Sequence, residues 1–138
     1  SAFLLSTAGV AARGGDGWAR MQVAQNVVDL AAARALLSRS AALIDDHHAA
    51  HTASEGTAGD VIALFAQSQA AKTAVARAAQ DVVDRSLALS GGAGYLSGHP
   101  LSRAYRDVRA ISFMHPLGAN RAYELLAQVA LGEEPTLH

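Results

Sequence analysis

The sequence predicts an all-α fold, an up-down four-helix bundle, from its composition and from the spacing of its apolar residues. Of the 138 residues, 51% are hydrophobic and only 5% are aromatic. The apolar content is therefore mostly Ala, Leu and Val, which suits closely packed helices better than a sheet. Glycine and proline separate stretches in which apolar residues recur three and four positions apart. A chain of this length is expected to form one domain, residues 1–138.

The first two predicted stretches differ in length. Residues 2–12 are expected to form the remnant of a helix, closed by the glycines around Asp16. A long helix then begins near Trp18, which is expected to anchor its start by packing. This helix ends at the polar residues 45–48, before a loop over residues 52–59. Its predicted buried face comprises Met21, Val23, Val27, Leu30, Leu37, Ala41 and Ile44.

The third predicted helix starts at a capping residue, Thr57 or Asp60, and ends at the glycines of residues 91–94. Its apolar residues lie at helical spacing, so they are expected to face the core. The predicted stripe comprises Val61, Leu64, Phe65, Ser68, Ala71, Val75, Ala78, Val82 and Leu89.

Two shorter helices complete the predicted fold. His99 is expected to be a turn residue, and Pro100 lies in a first-turn position of a helix over residues 101–112. Pro116 interrupts the pattern, and the last helix is predicted over residues 119–131.

The charge pattern disfavours several kinds of partner. Eleven Lys and Arg against twelve Asp and Glu give a net charge of −1, with no basic block, so no nucleic-acid partner is predicted. The chain has no cysteine, which excludes disulfides and thiolate sites. The apolar run of residues 2–12 is too short to span a membrane, and Arg13 follows it instead of preceding it. We therefore predict neither a membrane anchor nor a secretory signal, and a cytoplasmic location by default.

Three histidines cluster at the end of the long helix. His47 and His51 have the i, i+4 spacing that can hold a metal on a helix, with His48 between them. No third ligand follows at a matching spacing, and the neighbouring residues are polar. We interpret the cluster as an exposed helix end and predict no metal site.

The most informative stretch is Gly91-Gly92-Ala93-Gly94-Tyr95. Three glycines in four positions let the backbone turn sharply and approach another group, which is how peptide N–H groups reach a phosphate or a flavin edge. Glycine content alone favours a simple turn between helices, because a glycine-rich loop is weak support for a site outside its structural context.

The glycines followed by Pro100-Leu101, Arg103 and Arg106-Asp107 resemble the signature near the carboxyl end of acyl-CoA dehydrogenases and their relatives. The helical layout from Trp18 to Leu131 is consistent with this resemblance. It implies that the chain is the C-terminal helical bundle of a flavoenzyme, without the N-terminal helical and middle β domains, and inactive by itself. It also implies a homotetramer that binds flavin, FAD or FMN, and a small organic or acyl-CoA substrate.

The same resemblance suggests which residues contact flavin. Gly91, Gly92 and Gly94 are the expected contacts, with Ser90 as a flanking candidate, and Tyr95 is expected to pack behind the loop. The pair Arg106-Asp107 has two interpretations, a phosphate clamp with its partner or a structural pair bonded to nearby loops. The second is favoured because buried ionic groups need mutual satisfaction before any other role.

A departure from the family pattern lies at His115. Many acyl-CoA dehydrogenases carry there a Glu that removes the substrate α-proton, whereas this chain has His115 before Pro116. Flavin-dependent monooxygenases of the superfamily look more similar, and an imidazole can exchange a proton or donate a hydrogen bond at neutral pH. His115 is thus the candidate catalytic residue, with loop capping as its alternative role.

Three functional hypotheses remain open from the sequence. The first is a flavoenzyme domain, with monooxygenase chemistry favoured over acyl-CoA dehydrogenation. The second is a non-catalytic helical assembly module that covers its apolar surface by self-association. The third is an unrelated bundle with a chance likeness. A glycine-rich turn has no obvious purpose in an assembly module, which favours the first hypothesis.

Overall fold

The computed structural model describes residues 15–51 and 57–136. Within these residues the chain forms helices and no strand, which confirms the predicted all-α class. The helices of the described residues are α1 (Gly17–His51), α2 (Ala58–Ser90), α3 (Gly92–Tyr95), α4 (Pro100–Ala110) and α5 (Ala119–Leu131). The predicted helix at residues 2–12 lies outside the described residues, as does most of the loop between α1 and α2. In the described part of the chain, no helix is both long and apolar enough to cross a bilayer.

Helix α5 has the predicted bounds, and α4 starts and ends within two residues of its prediction. Helix α1 runs further than expected, because the polar residues that were predicted to end it continue the helix to His51. The glycines after α2 were expected only to break the pattern. Instead, four of the five residues of the glycine stretch, Gly92–Tyr95, form the single turn α3.

Short polar side chains start the two long helices. Asp16 Oδ1 accepts a hydrogen bond from the backbone N–H of Trp18 at 2.9 Å. At α2, Thr57 Oγ1 accepts from the N–H of Asp60 at 3.2 Å, while Asp60 Oδ2 accepts from the N–H of Thr57 at 3.1 Å. This reciprocal pair is a capping box, in which two backbone donors at the helix end are satisfied at once. Both residues proposed from the sequence therefore take part in the cap.

The capping box predicts a pH dependence of stability. Hydrogen bonds from the Thr57 hydroxyl and backbone N–H lower the pKa of the Asp60 carboxyl below its ordinary value of 3.8, helped by the charges of His51 and His47. A lowered folded-state pKa contributes stability that is fully present above the unfolded value and is lost as the pH falls through the folded value. The stability difference between wild type and Asp60→Asn is expected to shrink over that acid range.

Urea unfolding at pH 6 and at pH 3 measures this difference. Asp46→Asn removes a carboxylate of α1 that lies outside the capping box, and it is the matched control for the loss of one negative charge. An Asp60→Asn difference that stays constant with pH would contradict the prediction.

Clustering of the backbone contacts divides the chain into two units. Among the described residues, the first comprises residues 15–33 and 76–111, and the second comprises residues 34–51, 57–75 and 112–136. Helices α1 and α2 each contribute one part to each unit, α3 and α4 belong to the first, and α5 belongs to the second.

The core of the first unit is built around small and polar residues of α1. Ala19, Asn26 and Ala33 are its buried positions, seven residues apart, so they lie in one row along the helix. The other buried residues of this unit are Ala76, Val82, Val83, Ser86, Gly94 and Leu101. Alanine in a contact row lets the backbones of neighbouring helices approach closely.

A polar network lies inside the first unit. Asn26, which has no exposed surface, donates from Nδ2 to Ser86 Oγ at 3.3 Å and accepts at Oδ1 from Arg85 Nε at 2.7 Å. Arg85 also pairs with Asp29, and Ser86 Oγ donates to the carbonyl of Val82 at 2.6 Å. Both ends of the Asn26 amide are thereby satisfied, as a buried amide requires.

The core of the second unit is smaller. Its buried residues within the described part of the chain are Ala66, Gln69, Ala71, Ala122 and Leu125. Helix α5 places Ala122 and Leu125 at an interval of three, which keeps both on one helical face.

The predicted buried face of α1 was wrong. Met21, Val27, Leu37 and Ile44 are exposed, and Trp18 is 52% exposed, so it is no packing anchor within the described residues. Ala19, Asn26 and Ala33 occupy the row of closest approach, and the larger side chains lie outside it. The prediction for the apolar stripe of α2 is partly correct, since Ala71 and Val82 are buried whereas Val61 is exposed.

Candidate functional site

The glycine turn, residues 90–95, follows directly from the end of α2. Gly91 has φ 62° and ψ −158°, a conformation that side chains rarely adopt. Ser90 Oγ, at the end of α2, donates a hydrogen bond to the carbonyl of Leu87 at 2.8 Å, within the last turn of that helix. The first glycine is therefore required by the backbone itself.

Gly94 and Gly92 have different requirements. A Cβ on Gly94 would lie 1.9 Å from Ser90 Oγ and 3.2 Å from Leu87 Cδ2, so the packing of the turn needs a bare backbone there. A Cβ on Gly92 would meet nothing within 4 Å, and Gly92 is exposed. The fold does not require glycine at position 92, and a second molecule can approach its backbone closely.

The start of α4 matches its prediction. His99 Nδ1 accepts a hydrogen bond from the N–H of Leu101 at 3.2 Å, and Pro100 occupies the first turn. Proline suits that position because its missing N–H would have no partner inside the helix. Leu101 is completely buried and fixes α4 within its unit.

Two expectations about the end of this signature were wrong. Tyr95 does not pack behind the glycine turn, since it is 78% exposed. Arg106 and Asp107 do not bond to nearby loops either: within the described residues, Arg106 Nη1 donates to Ser102 Oγ at 3.1 Å and Asp107 pairs with Arg103 at 3.4 Å, so both partners lie on α4 itself. Residues four apart on a helix face each other, whereas adjacent ones diverge.

His115 lies in the loop between α4 and α5, in the second unit. Its side chain is exposed, and the loop is held through its backbone. Lys72 Nζ of α2 donates to the carbonyls of Met114 at 2.5 Å and Leu117 at 2.7 Å, and lies 3.4 Å from that of His115. One ammonium group thus fixes the loop on both sides of His115.

A cleft of about 330 Å³ adjoins this loop. Its lining comes from the loop ends and from the start of α5: Ser112, Phe113, Gly118, Ala119, Asn120 and Arg121. The carbonyl of Ser112 accepts from the N–H of Ala119 at 3.0 Å, which closes the loop onto the helix start. The cleft therefore has fixed walls and a polar margin.

The structure groups the predicted site residues in two sets. Ser90, Gly91, Gly92 and Gly94 form one turn in the first unit, and His115 belongs to the second unit. Lys72 was missed from the sequence, although a signal existed: it is the only lysine among eleven basic residues.

The histidine cluster has a local structural role. His51 Nδ1 lies 2.7 Å from the carbonyl of His47, and the two rings stack with centroids 4.1 Å apart. Within residues 15–51 and 57–136, no group of three or more metal-ligating side chains is assembled.

Comparison with known proteins decides the family. A family model described as acyl-CoA dehydrogenase, C-terminal domain, matches residues 9–116. The chain belongs to this family. The match includes the glycine turn, α4 and His115, so the acyl-CoA dehydrogenase resemblance of the signature is confirmed.

Three curated relatives are similar to parts of this acyl-CoA dehydrogenase C-terminal domain. An amino sugar nitrososynthase of Streptomyces peucetius is 50% identical over 70 residues, 51% of this chain and 17% of that protein. An L-evernosamine nitrososynthase of a Micromonospora species is 52% identical over 64 residues, 46% of this chain and 15% of that protein. An amino sugar nitrososynthase of Streptomyces rubradiris is 46% identical over 66 residues, 48% of this chain and 16% of that protein. The chain therefore spans less than a fifth of each relative.

Proposed function

We propose that this chain is the C-terminal domain of a flavin-dependent oxidoreductase of the monooxygenase type, and that it supplies one wall of the flavin site. The main support is the glycine turn, which lies within the residues that the family model matches. Its Gly92 is a position at which the fold itself does not need glycine. At this position in the turn, the absence of a side chain leaves room for the close approach of another molecule.

The residues of the turn suit a flavin. Gly91 and Gly92 present exposed backbone, and the open space at Gly92 would be filled by any larger side chain. The hydroxyl of Ser90 is bonded within the last turn of α2, and Gly94 is buried. A bound flavin supplies the electron transfer of the reaction, and the protein contributes binding, orientation and electrostatics. FAD and FMN share the ring system that such a turn contacts, so the proposal includes either.

His115 supports the monooxygenase type over acyl-CoA dehydrogenation. It stands where many acyl-CoA dehydrogenases carry a carboxylate, and its imidazole is exposed on a loop fixed by Lys72. We propose that a ring nitrogen of His115 exchanges a proton with the substrate. Imidazole suits an amine substrate, because it can accept a proton from nitrogen near neutral pH.

The relatives suggest the substrate class. Their names describe synthases that form a nitroso group on an amino sugar. Conversion of an amine to a nitroso group oxidises nitrogen and adds oxygen to it, which is monooxygenase chemistry. We propose an amino sugar as the substrate of the full protein, which we expect to be a cytoplasmic homotetramer.

One observation favours an additional assembly role. Trp18, Met21 and Val28 of α1, all in the first unit, are exposed, and large exposed apolar side chains on one helix indicate a contact surface. Assembly through α1 is compatible with flavin binding at the glycine turn, because the two features involve different residues.

A flavin titration tests the proposal. Gly92→Leu is expected to weaken the binding of reduced and oxidised FMN or FAD to this chain by about tenfold or more, the equivalent of about 1.4 kcal/mol, because the side chain fills the approach space. Flavin fluorescence and the thermal midpoint are followed together.

Gly98→Leu is the matched control. Gly98 is also exposed, and a Cβ there also meets nothing within 4 Å, but it lies outside the glycine turn. Equal weakening by both substitutions, or folded protein that binds no flavin, would count against a flavin surface on this chain.

A further inference from the structure

Helix α4 carries three arginines, and two of them are neutralised. Arg103 pairs with Asp107, and Arg109 Nη2 lies 3.2 Å from Asp84 Oδ2. Arg106, between them in sequence, donates to the neutral hydroxyl of Ser102. Among the described residues it forms no ion pair with a carboxylate, so its charge is available to a ligand.

The side chain of Arg106 lines a cleft of about 290 Å³ in the first unit. The other lining residues are Leu87, Tyr95, Ser97, Ser102 and Tyr105. Four of them carry hydroxyls, and none carries a negative charge. The cleft therefore combines one guanidinium with four hydroxyl groups that can donate hydrogen bonds.

The hydroxyls of Ser102 and Tyr105 can donate their hydrogens to a ligand. Ser102 Oγ accepts from Arg106, and Tyr105 Oη accepts from Arg109 Nη2 at 3.4 Å. Because each oxygen already acts as an acceptor, its own hydrogen can be donated outward. Arg109 is fixed both by Asp84 and by its position 4.8 Å from the Tyr105 ring centroid, so the phenol is held in place.

This set of donors selects an anion with several oxygens. A guanidinium presents two parallel N–H donors that match the oxygens of a phosphate, and hydroxyls from other directions suit the remaining oxygens of a tetrahedral group. The exposed ring of Tyr95 and the apolar side chain of Leu87 border the same cleft and can cover the organic part of an ester.

We propose that the cleft around Arg106 binds the phosphoryl group of a phosphate ester. The group belongs to a flavin nucleotide or to a phosphorylated sugar substrate, and only this choice of source rests on the proposed function. The phosphoryl site itself stands on Arg106 and the hydroxyls around it.

Inorganic pyrophosphate is the first probe, titrated into this chain by calorimetry at low salt. Arg106→Gln is expected to weaken pyrophosphate binding by about tenfold or more, while Arg103→Gln changes it by less than about twofold. The two variants lose the same charge from the same helix, and both positions are exposed, so folding is preserved. Equal effects of the two substitutions, or no pyrophosphate binding to folded wild type, would overturn the site.

The second set of titrations identifies the source. FMN is compared with riboflavin, and glucosamine 1-phosphate with glucosamine. The phosphorylated member of one pair is expected to bind more tightly, and Arg106→Gln is expected to abolish that preference. If neither pair shows an Arg106-dependent preference, the phosphate-ester assignment is wrong.

These outcomes separate the two proposals. If pyrophosphate binding depends on Arg106 but flavin binding does not depend on Gly92, the phosphoryl site is supported and the proposed flavin surface is refuted. The opposite result has three parts: flavin binding depends on Gly92, FMN and riboflavin bind equally, and Arg106→Gln affects no probe. In that case the flavin surface is supported and the phosphoryl site is refuted.

Discussion

Truncation of Leu101 to alanine is expected to destabilise this chain by about 3 kcal/mol, within the usual range for a buried leucine. Leu101 has no exposed surface and lies in the first turn of α4, just after the Pro100 start. The truncation removes buried methyl groups and leaves a space that the surrounding helices fill only in part. Urea unfolding followed by circular dichroism measures the loss.

The matched control is Leu96→Ala. Leu96 is the same residue type in the same unit, five positions earlier, but it is 67% exposed. Its truncation is expected to change the free energy of unfolding by less than about 0.5 kcal/mol. Similar losses for the two substitutions would show that Leu101 does not fix α4 in the way that its burial indicates.

Replacement of Asn26 by alanine is expected to cost about 2 kcal/mol. The amide serves both Arg85 and Ser86, and its loss leaves Arg85 Nε without its acceptor in a partly buried position. An unsatisfied donor costs its full desolvation, which exceeds the net value of the hydrogen bond that was present. Thermal and urea unfolding measure this loss.

Gln25→Ala provides the comparison for Asn26→Ala, since Gln25 is the neighbouring amide on α1 and is exposed. A double-mutant cycle with Arg85→Met tests the network directly. The two losses are expected to be less than additive, with a coupling of about 1 kcal/mol, because both remove the same contact. Strict additivity would mean that Asn26 and Arg85 contribute independently.

Local signals in the sequence predicted the helix ends. Interactions within a few residues determine the start of α4 at His99 and Pro100, the cap of α2 at Thr57 and Asp60, and the bounds of α5. Caps and breakers act through the nearby backbone, so they can be identified without the rest of the fold.

The buried face of α1 could not be found in the same way. Apolar spacing identified Met21 and Val27, whereas the structure buries Asn26 between Ala19 and Ala33. A buried asparagine is favourable only if its partners are present, and these partners are about sixty residues away on α2. Their positions are set by the packing of two helices, which a local pattern does not contain.

In the candidate site too, features that depend on nearby residues were predicted, and features that depend on distant contacts were not. The glycine turn was located from the sequence because Gly91 needs its backbone conformation and Gly94 its small size, and both are local requirements. The cleft at Arg106 was not predicted: a phosphate-clamp role was considered for Arg106, but its adjacency to Asp107 favoured a structural pair, which helical geometry separates. The contacts of Lys72 with the loop span more than forty residues and had no local signature.

Lys72, the single lysine of the chain, allows the attachment of the His115 loop to be probed by chemical modification. Ten arginines resist acylation at neutral pH, so an amine-directed reagent has Lys72 as its one side-chain target. Acetylation would remove the charge that holds the carbonyls of Met114 and Leu117 and would leave every arginine intact. The rate of acylation of one amine therefore reports how often the loop detaches from α2.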